Sequence, residues 1–160
     1  MAATDLQATV THDAEGTLVQ LSGIIDESAG DALQAVQGQV TGALRLNVGG
    51  VRSVNSFGVG QLMRFLEQTS RAHRVTFEDC SETFVDLFQM MGLSAYGKIT
   101  SFYASYSCDT CPIRESRRIV VSRHLRLDPR TNSVEAASFP CSCGGTLLQD
   151  DALDFAADYL

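Results

Sequence analysis

No stretch of this sequence approaches the roughly 18 consecutive apolar residues that cross a bilayer as a helix. Its start, Met1-Ala-Ala-Thr-Asp-Leu6, has neither the charged n-region nor the apolar h-region of a secretory signal. The expectation is a cytoplasmic protein with no membrane partner. Basic charge is also scarce: 12 Lys and Arg face 19 Asp and Glu, a formal net charge of −7. Nucleic-acid phosphates and anionic lipid repel so acidic a chain, which disfavours a whole-protein grip on either. The three histidines, His12, His73 and His124, fall on separate expected elements. No Ser/His/Asp set, pair of catalytic carboxylates or phosphate-cradling loop rises above chance. Gly58-Val-Gly60 is too short for a nucleotide signature. No reactive group has a visible activating partner, so an enzyme is the least expected class. Internal repeats and low-complexity tracts are absent as well.

What is present suits a globular chain. The 160 residues are 44% hydrophobic and 19% charged, enough for one real core plus a small module. A module below about 50 residues struggles to build a second core without a metal or disulfides. Charge is unevenly spread. Residues 1–104 carry six basic and eleven acidic side chains; residues 105–150 carry six arginines and five acids, a net +1; the last ten residues carry three acids.

Residues 6–12 and 16–22 alternate apolar and polar around an Asp13–Gly16 turn, which predicts a hairpin. From Ala29 the period becomes helical through Ala32, Leu33, Val36 and Val40, with Asp26 or Ser28 as the cap. Leu44–Val48 alternates again as a strand that Gly49-Gly50 breaks. A second helix runs from the Asn55–Gly60 segment to Ala72, burying Val59, Leu62, Met63 and Leu66. Residues 74–78 form a short strand, residues 81–91 a third helix capped by Ser81, and residues 99–103 a last strand. The order ββαβαβαβ implies an α/β fold, a mixed sheet with helices packed on it. The expected division is 1–104, then a small β-rich module at 105–150, then an acidic helix or tail at 151–160. In that tail Leu153, Phe155, Ala156, Tyr159 and Leu160 have loosely helical spacing.

The segments Leu21-Ser-Gly-Ile-Ile-Asp26, Leu44-Arg-Leu-Asn-Val-Gly-Gly-Val51, Asn55-Ser-Phe-Gly-Val-Gly60 and Phe88-Gln-Met-Met-Gly-Leu93 are ordered and spaced in a telling way. Together they resemble the STAS domain of sulfate transporters and anti-sigma factor antagonists, over residues 6–103. In that family the second helix usually starts Asp-Ser-Ser-Gly-Leu-Gly, and its second serine is the phosphorylation switch that a partner kinase uses. The resemblance implies a non-catalytic signalling adaptor in bacterial partner-switching, binding an anti-sigma-like kinase or another regulator through Asn55, Ser56, Phe57 and Gly58. The position of the phosphoacceptor is Phe57, which carries no hydroxyl. Ser56 is the one hydroxyl left for phosphorylation. Asn55 replaces the usual acid, and Asn47 the usual strand-ending Asp. An aromatic ring there suggests a constitutive contact surface in place of a phosphate switch. The alternative is that Phe57 folds onto the core while Asn55 and Ser56 cap the helix.

Cys108-Asp-Thr-Cys111 is separated by 29 residues from Cys141-Ser-Cys143-Gly-Gly145, with strand-forming residues 118–123 and 124–127 between them. This resembles a zinc ribbon, in which two turns offer four thiolates to one structural zinc. Gly144-Gly145 frees the backbone to turn close to the sulfurs. The second pair is Cys-x-Cys, where a ribbon usually has Cys-x-x-Cys-Gly. A ribbon without metal, a disulfide or a redox pair are the alternatives, with His124 a substitute ligand if a cysteine fails. Cys80 stands alone and reads as a small buried residue.

Two further functions compete with the adaptor. Arg114, Arg117, Arg118, Arg123, Arg126 and Arg130 suit a nucleic-acid-associated regulator, although a solvated ladder paired with Glu115, Asp128 and the acidic tail explains them more simply. The other is a structural subunit that packs into homo-oligomers.

Overall fold

The computed structural model describes residues 5–160, except the side chains of residues 158 and 159. The first four residues of the start, and the Tyr159 side chain expected in the C-terminal helical stripe, lie outside the described residues. The chain divides into two compact units between Lys98 and Ile99.

The first unit begins with a hairpin, β1 (Gln7–Asp13) and β2 (Gly16–Ile25), in antiparallel register from Gln7↔Ser22 to Asp13↔Gly16. Helix α1 (Gly30–Gln37) follows a short 3-10 turn whose N-terminus Asp26 caps by accepting the Ser28 N–H at 2.9 Å. Then come β3 (Ala43–Val54), α2 (Ser56–Ser70), β4 (Val75–Glu78), α3 (Glu82–Met90) and β5 (Gly97–Ile99). The sheet order is β1-β2-β3-β4-β5, with β3 parallel to both β2 and β4. The mixed α/β sheet and its element order match the sequence expectation.

Alternation decides which face of the sheet is covered. Thr17, Val19, Leu21 and Ile25 of β2 are buried while their neighbours are partly or fully exposed, and Leu44, Leu46 and Val48 of β3 continue the buried row. The helices supply Leu33 and Val36, Leu62, Phe65 and Leu66, and Phe84, Val85 and Phe88. Each such side chain, fully buried, contributes about 1.5–3 kcal/mol. Phe77 of β4 meets Phe88 edge-on at 5.4 Å and Phe84 at 5.9 Å between ring centroids, which locks α3 onto the sheet. Ser81 accepts the Phe84 N–H at 3.1 Å and sets the start of α3.

Gly49-Gly50 does not end the strand. The pairing of β2 with β3 slips there, from Gln20↔Asn47 to Ser22↔Gly50, and resumes to Ile25↔Val54. The glycines take up a bulge within one 12-residue strand.

The second unit is β-rich. A four-stranded sheet has the order β10-β11-β6-β7, built from β6 (Ser101–Cys108), β7 (Arg114–Val120), β10 (Phe139–Pro140) and β11 (Thr146–Gln149). A helical turn, α4 (Val121–His124), leads to the hairpin β8 (Leu125–Leu127) with β9 (Val134–Ala136). Residues 121–123, expected as strand, are in that turn, where His124 Nδ1 accepts the Val120 N–H at 3.0 Å.

Residues 101–104, expected to close the first module, belong here instead. The alternation of Phe102, Ala104 and Tyr106 runs on unbroken, and β6 pairs along its length with β7. Leu153, which caps a C-terminal 3-10 helix (Asp154–Tyr159), and Ala156 within it are buried, and Phe155 stacks edge-on with Phe102 at 5.2 Å. Among the described residues, no helix is long and apolar enough to cross a membrane.

Candidate functional site

The start of α2 is fixed by the end of β2. Asn55 N–H donates to the Ile25 carbonyl at 3.1 Å, which pins the β3–α2 junction. The Asn55 side-chain oxygen accepts the Gly58 N–H at 2.7 Å, and its amide nitrogen donates to Glu27 at 3.1 Å. Asn55 is therefore the N-cap. Gly58 is buried, and a Cβ there would run into the Ile25 carbonyl. Only glycine lets the first helical turn pass so close to the strand end.

Phe57 does not fold back onto the core. Its side chain is 69% exposed, beside an exposed Ser56. Asn47, at the other position where the sequence departs from the STAS pattern, donates to Asp79 at 3.0 Å and accepts the Gly49 N–H at 3.0 Å.

One neighbouring feature was not legible in the sequence. Met90, at the end of α3, is 77% exposed and borders an apolar groove of about 340 Å³ lined by Val51, Val54, Phe84, Leu87 and Met90. Helical periodicity identifies the buried stripe of α3 but gives no reason for a large apolar side chain to be left in water.

The four expected cysteines come together. Cys108 ends β6, Cys111 lies in the following loop, and Cys141 and Cys143 follow β10. The register Leu147↔Cys108 lays β11 beside β6 and brings the two loops face to face. All four sulfurs lie within 4.8 Å of one another. Two contacts cross between the loops: Cys108 to Cys143 at 3.5 Å and Cys111 to Cys141 at 3.7 Å.

Backbone amides support the sulfurs. Thr110 N–H donates to Cys108 Sγ at 3.4 Å, and Gly145 N–H donates to Cys143 Sγ at 3.3 Å. Both bonds reach back two residues, so Cys143 takes the same place in its turn as Cys108 does in the first. Asp109 ties the loops together, with its carboxylate accepting the Thr146 N–H at 2.9 Å and its own N–H donating to the Thr146 carbonyl at 3.0 Å. A Cβ on Gly145 would collide with the Thr110 hydroxyl and come within 2.9 Å of Cys108 Sγ.

These surroundings set the thiol chemistry. The Thr110 N–H above all holds Cys108 down, to about 6, with help from the Cys111 N–H. The Ile113 N–H favours the Cys111 thiolate, but burial and the three neighbouring sulfurs outweigh it and push Cys111 up to about 12. Four thiolates at these separations can hold a metal ion. A tetrahedral ion with bonds of about 2.3 Å spaces its sulfurs about 3.8 Å apart, and the two short contacts are already close to that. Cys80 is fully buried within the first unit, and burial pushes its thiol up strongly.

The histidines and arginines are engaged elsewhere. His12 Nε2 donates to the Gln39 carbonyl and His73 Nδ1 to the Gly42 carbonyl, each at 2.7 Å. Arg114 pairs with Asp150 at 3.2 Å, and Arg117 pairs with Glu115 at 2.7 Å while lying 5.1 Å over the Phe139 ring. Arg118 donates to Ser101 at 3.4 Å. Half of the arginine group is thus bound within its own unit.

No family model and no curated protein matches this chain. Solved structures do. An anti-sigma factor antagonist from Mycobacterium paratuberculosis is 19% identical, with a TM-score of 0.52 over 61% of this chain and 87% of that one. Two further matches are forms of SpoIIAA. The unphosphorylated anti-sigma factor antagonist is 22% identical, with a TM-score of 0.41 over 52% of this chain and 83% of its own. The phosphorylated Bacillus cell fate determinant is 23% identical, with a TM-score of 0.44 over 58% and 90%. The first of these shows the fold. The first unit has the mixed α/β fold of an anti-sigma factor antagonist, the STAS fold, and a β-rich unit with a four-cysteine cluster follows it.

Proposed function

We propose that this protein is a non-catalytic regulatory adaptor that docks a protein partner through the exposed Asn55, Ser56 and Phe57; Gly58, expected in the same surface, is buried against the Ile25 carbonyl and serves only to hold the turn. The observation that carries the reading is Phe57, a 69% exposed aromatic ring on the first turn of a rigidly capped helix. An exposed aromatic side chain on rigid backbone suits the centre of a protein interface. The fold shared with an anti-sigma factor antagonist supports the same direction and favours an anti-sigma-like kinase or a similar regulator as partner. Phe57 stands where the resemblance places the phosphoacceptor serine, so the docking surface is constitutive and Ser56 phosphorylation is a minor route.

The adaptor carries one structural zinc on Cys108, Cys111, Cys141 and Cys143. The sulfur geometry and the paired N–H···S bonds support that ion. This reading belongs to a reducing, cytoplasmic setting, in which thiols remain free for metal.

Affinity capture from the native host, followed by titration of the captured partner, tests the docking surface. Phe57→Asp should weaken binding more than tenfold. Unchanged binding by that variant would sink the surface assignment.

A further inference from the structure

We propose that Cys143 is an oxidant-reactive site: hydrogen peroxide converts the Cys108–Cys143 pair to a disulfide and opens the metal site. The inference rests on the zinc reading above and concerns how that site is regulated. It begins from accessibility. Cys143 is the one exposed sulfur residue of the cluster, Cys108 and Cys111 are half-buried, and Cys141 is buried at 8% exposure. A small oxidant in solution therefore meets Cys143 first.

Proximity then selects the second thiol. Cys108 Sγ lies 3.5 Å from Cys143 Sγ across the loops. Closing that gap to a disulfide needs a movement of about 1.5 Å, given the ~2.05 Å length of the S–S bond. The turn around Cys143 has room for it. Gly144 sits in a left-handed conformation at φ +92°, with nothing within 4 Å of the position a Cβ would take. Cys141 is less well placed, because its N–H is held to the Gly145 carbonyl at 2.9 Å and its side chain is buried.

The chemistry balances with peroxide alone. The Cys143 sulfur attacks one peroxide oxygen, the O–O bond breaks, and Cys143 becomes a sulfenic acid while hydroxide leaves and is protonated to water. The Cys108 sulfur then attacks the Cys143 sulfur. The S–O bond breaks, the S–S bond forms, and a second hydroxide leaves and takes up a proton. Two sulfurs lose two electrons in total, and one hydrogen peroxide becomes two waters. Two thiolate ligands remain, too few for a closed tetrahedral site, and the metal is lost. The new crosslink joins the end of β6 to the turn that leads into β11, two elements that are already paired through Leu147↔Cys108. The sheet register therefore survives the oxidation, and a thiol reductant reverses it.

The test uses the full-length chain, reconstituted with zinc under reduction and freed of reductant. Metal content is measured first by elemental analysis, which decides the zinc reading by itself. One equivalent of hydrogen peroxide is then added. Released zinc is followed with a chromophoric chelator, and disulfides are mapped by mass spectrometry of non-reduced peptides. The expected result is a Cys108–Cys143 linkage appearing together with loss of the ion, reversed by dithiothreitol and zinc. Cys143→Ser should slow peroxide-driven zinc release at least tenfold, while Cys80→Ser leaves it unchanged. Should the serine variant fail to hold zinc, mapping of the unmodified chain still decides. A Cys111–Cys141 linkage as the first product, or retention of zinc after full consumption of peroxide, overturns the proposal. A chain without zinc that still forms the Cys108–Cys143 bond overturns the zinc reading while upholding the reactive pair.

Discussion

Gly58 lies against the carbonyl of Ile25, so close that the first turn of α2 and the last residue of β2 leave no room for a Cβ between them. The contact joins the sheet to the segment that presents Phe57. The direction of that ring is therefore tied to the core of the first unit.

Gly58→Ala tests this joint. The added methyl must displace either the strand end or the helix, which costs about 1–3 kcal/mol as overpacking does. Denaturant unfolding should show a lower midpoint at unchanged slope. Partner binding should fall as well, because the displaced turn carries Phe57. An alanine variant with the midpoint of the unsubstituted chain would mean that the contact yields without cost.

Asn55→Ala removes the acceptor for the Gly58 N–H and the donor to Glu27. Loss of an N-cap costs about 1 kcal/mol. Asn55→Asp keeps the capping oxygen and should hold the helix start, but it sets a second carboxylate beside Glu27. The aspartate variant should therefore lie between the alanine variant and the unsubstituted chain in thermal stability. An alanine variant as stable as the original would show that the Ile25 contact alone sets the start of α2.

Much of the first unit was legible because period and cap signals agree there. Alternation from Thr17 to Leu21 marks β2, and Ser81 and Asn55 stand where helices begin and do cap them. The misread parts depend on partners distant in the chain. Gly49-Gly50 looks like a strand end until β2 pairs across it with a register slip. Ser101–Ala104 looks like the last strand of the first sheet until β7 and β11 claim β6. The four cysteines were readable from spacing. Their short contacts run between the loops, from Cys108 to Cys143 and from Cys111 to Cys141, because the antiparallel register of β6 and β11 decides which sulfurs meet. No local pattern encodes that. The exposure of Met90 is likewise a property of where α3 ends on the folded unit.

The cysteines should differ in reactivity once metal is stripped. The Thr110 N–H, backed by that of Cys111, holds Cys108 to about 6, so Cys108 is largely thiolate at pH 7. Burial and the neighbouring sulfurs keep Cys111, pushed up to about 12, as the thiol at that pH. Iodoacetamide labelling of the metal-free chain should therefore begin at Cys108. Its rate should rise as pH climbs through about 6 and level off above, since the thiolate is the reacting form. Cys80 should stay unlabelled until the chain is denatured, because it is fully buried. First labelling at Cys111, or a rate that still climbs steeply near pH 9, would contradict this ordering.

Metal removal should act on the second unit far more than on the first. Residues 99–160 enclose a small core of Phe102, Ala104, Tyr106, Ile119, Val121, Leu125 and Leu147, with Leu153 and Ala156 added by the C-terminal turn. A unit of this size sits where hydrophobic burial alone barely exceeds chain entropy, and a structural zinc contributes binding energy directly to folding. The first unit has its own larger core and no ligand in the cluster. A chelator under reducing conditions should release about one zinc per chain. Limited proteolysis should then cut within 99–160 at least tenfold faster and leave a resistant fragment close to residues 5–98. Two substitutions separate metal from packing. Cys141→Ser removes a ligand and should reproduce the effect of the chelator. Phe102→Ala should raise the cutting rate even with zinc in excess, through a loss of about 3–5 kcal/mol of core packing. If the stripped chain resists protease as well as the zinc-loaded one, the core of the second unit stands alone and the four sulfurs are not its staple.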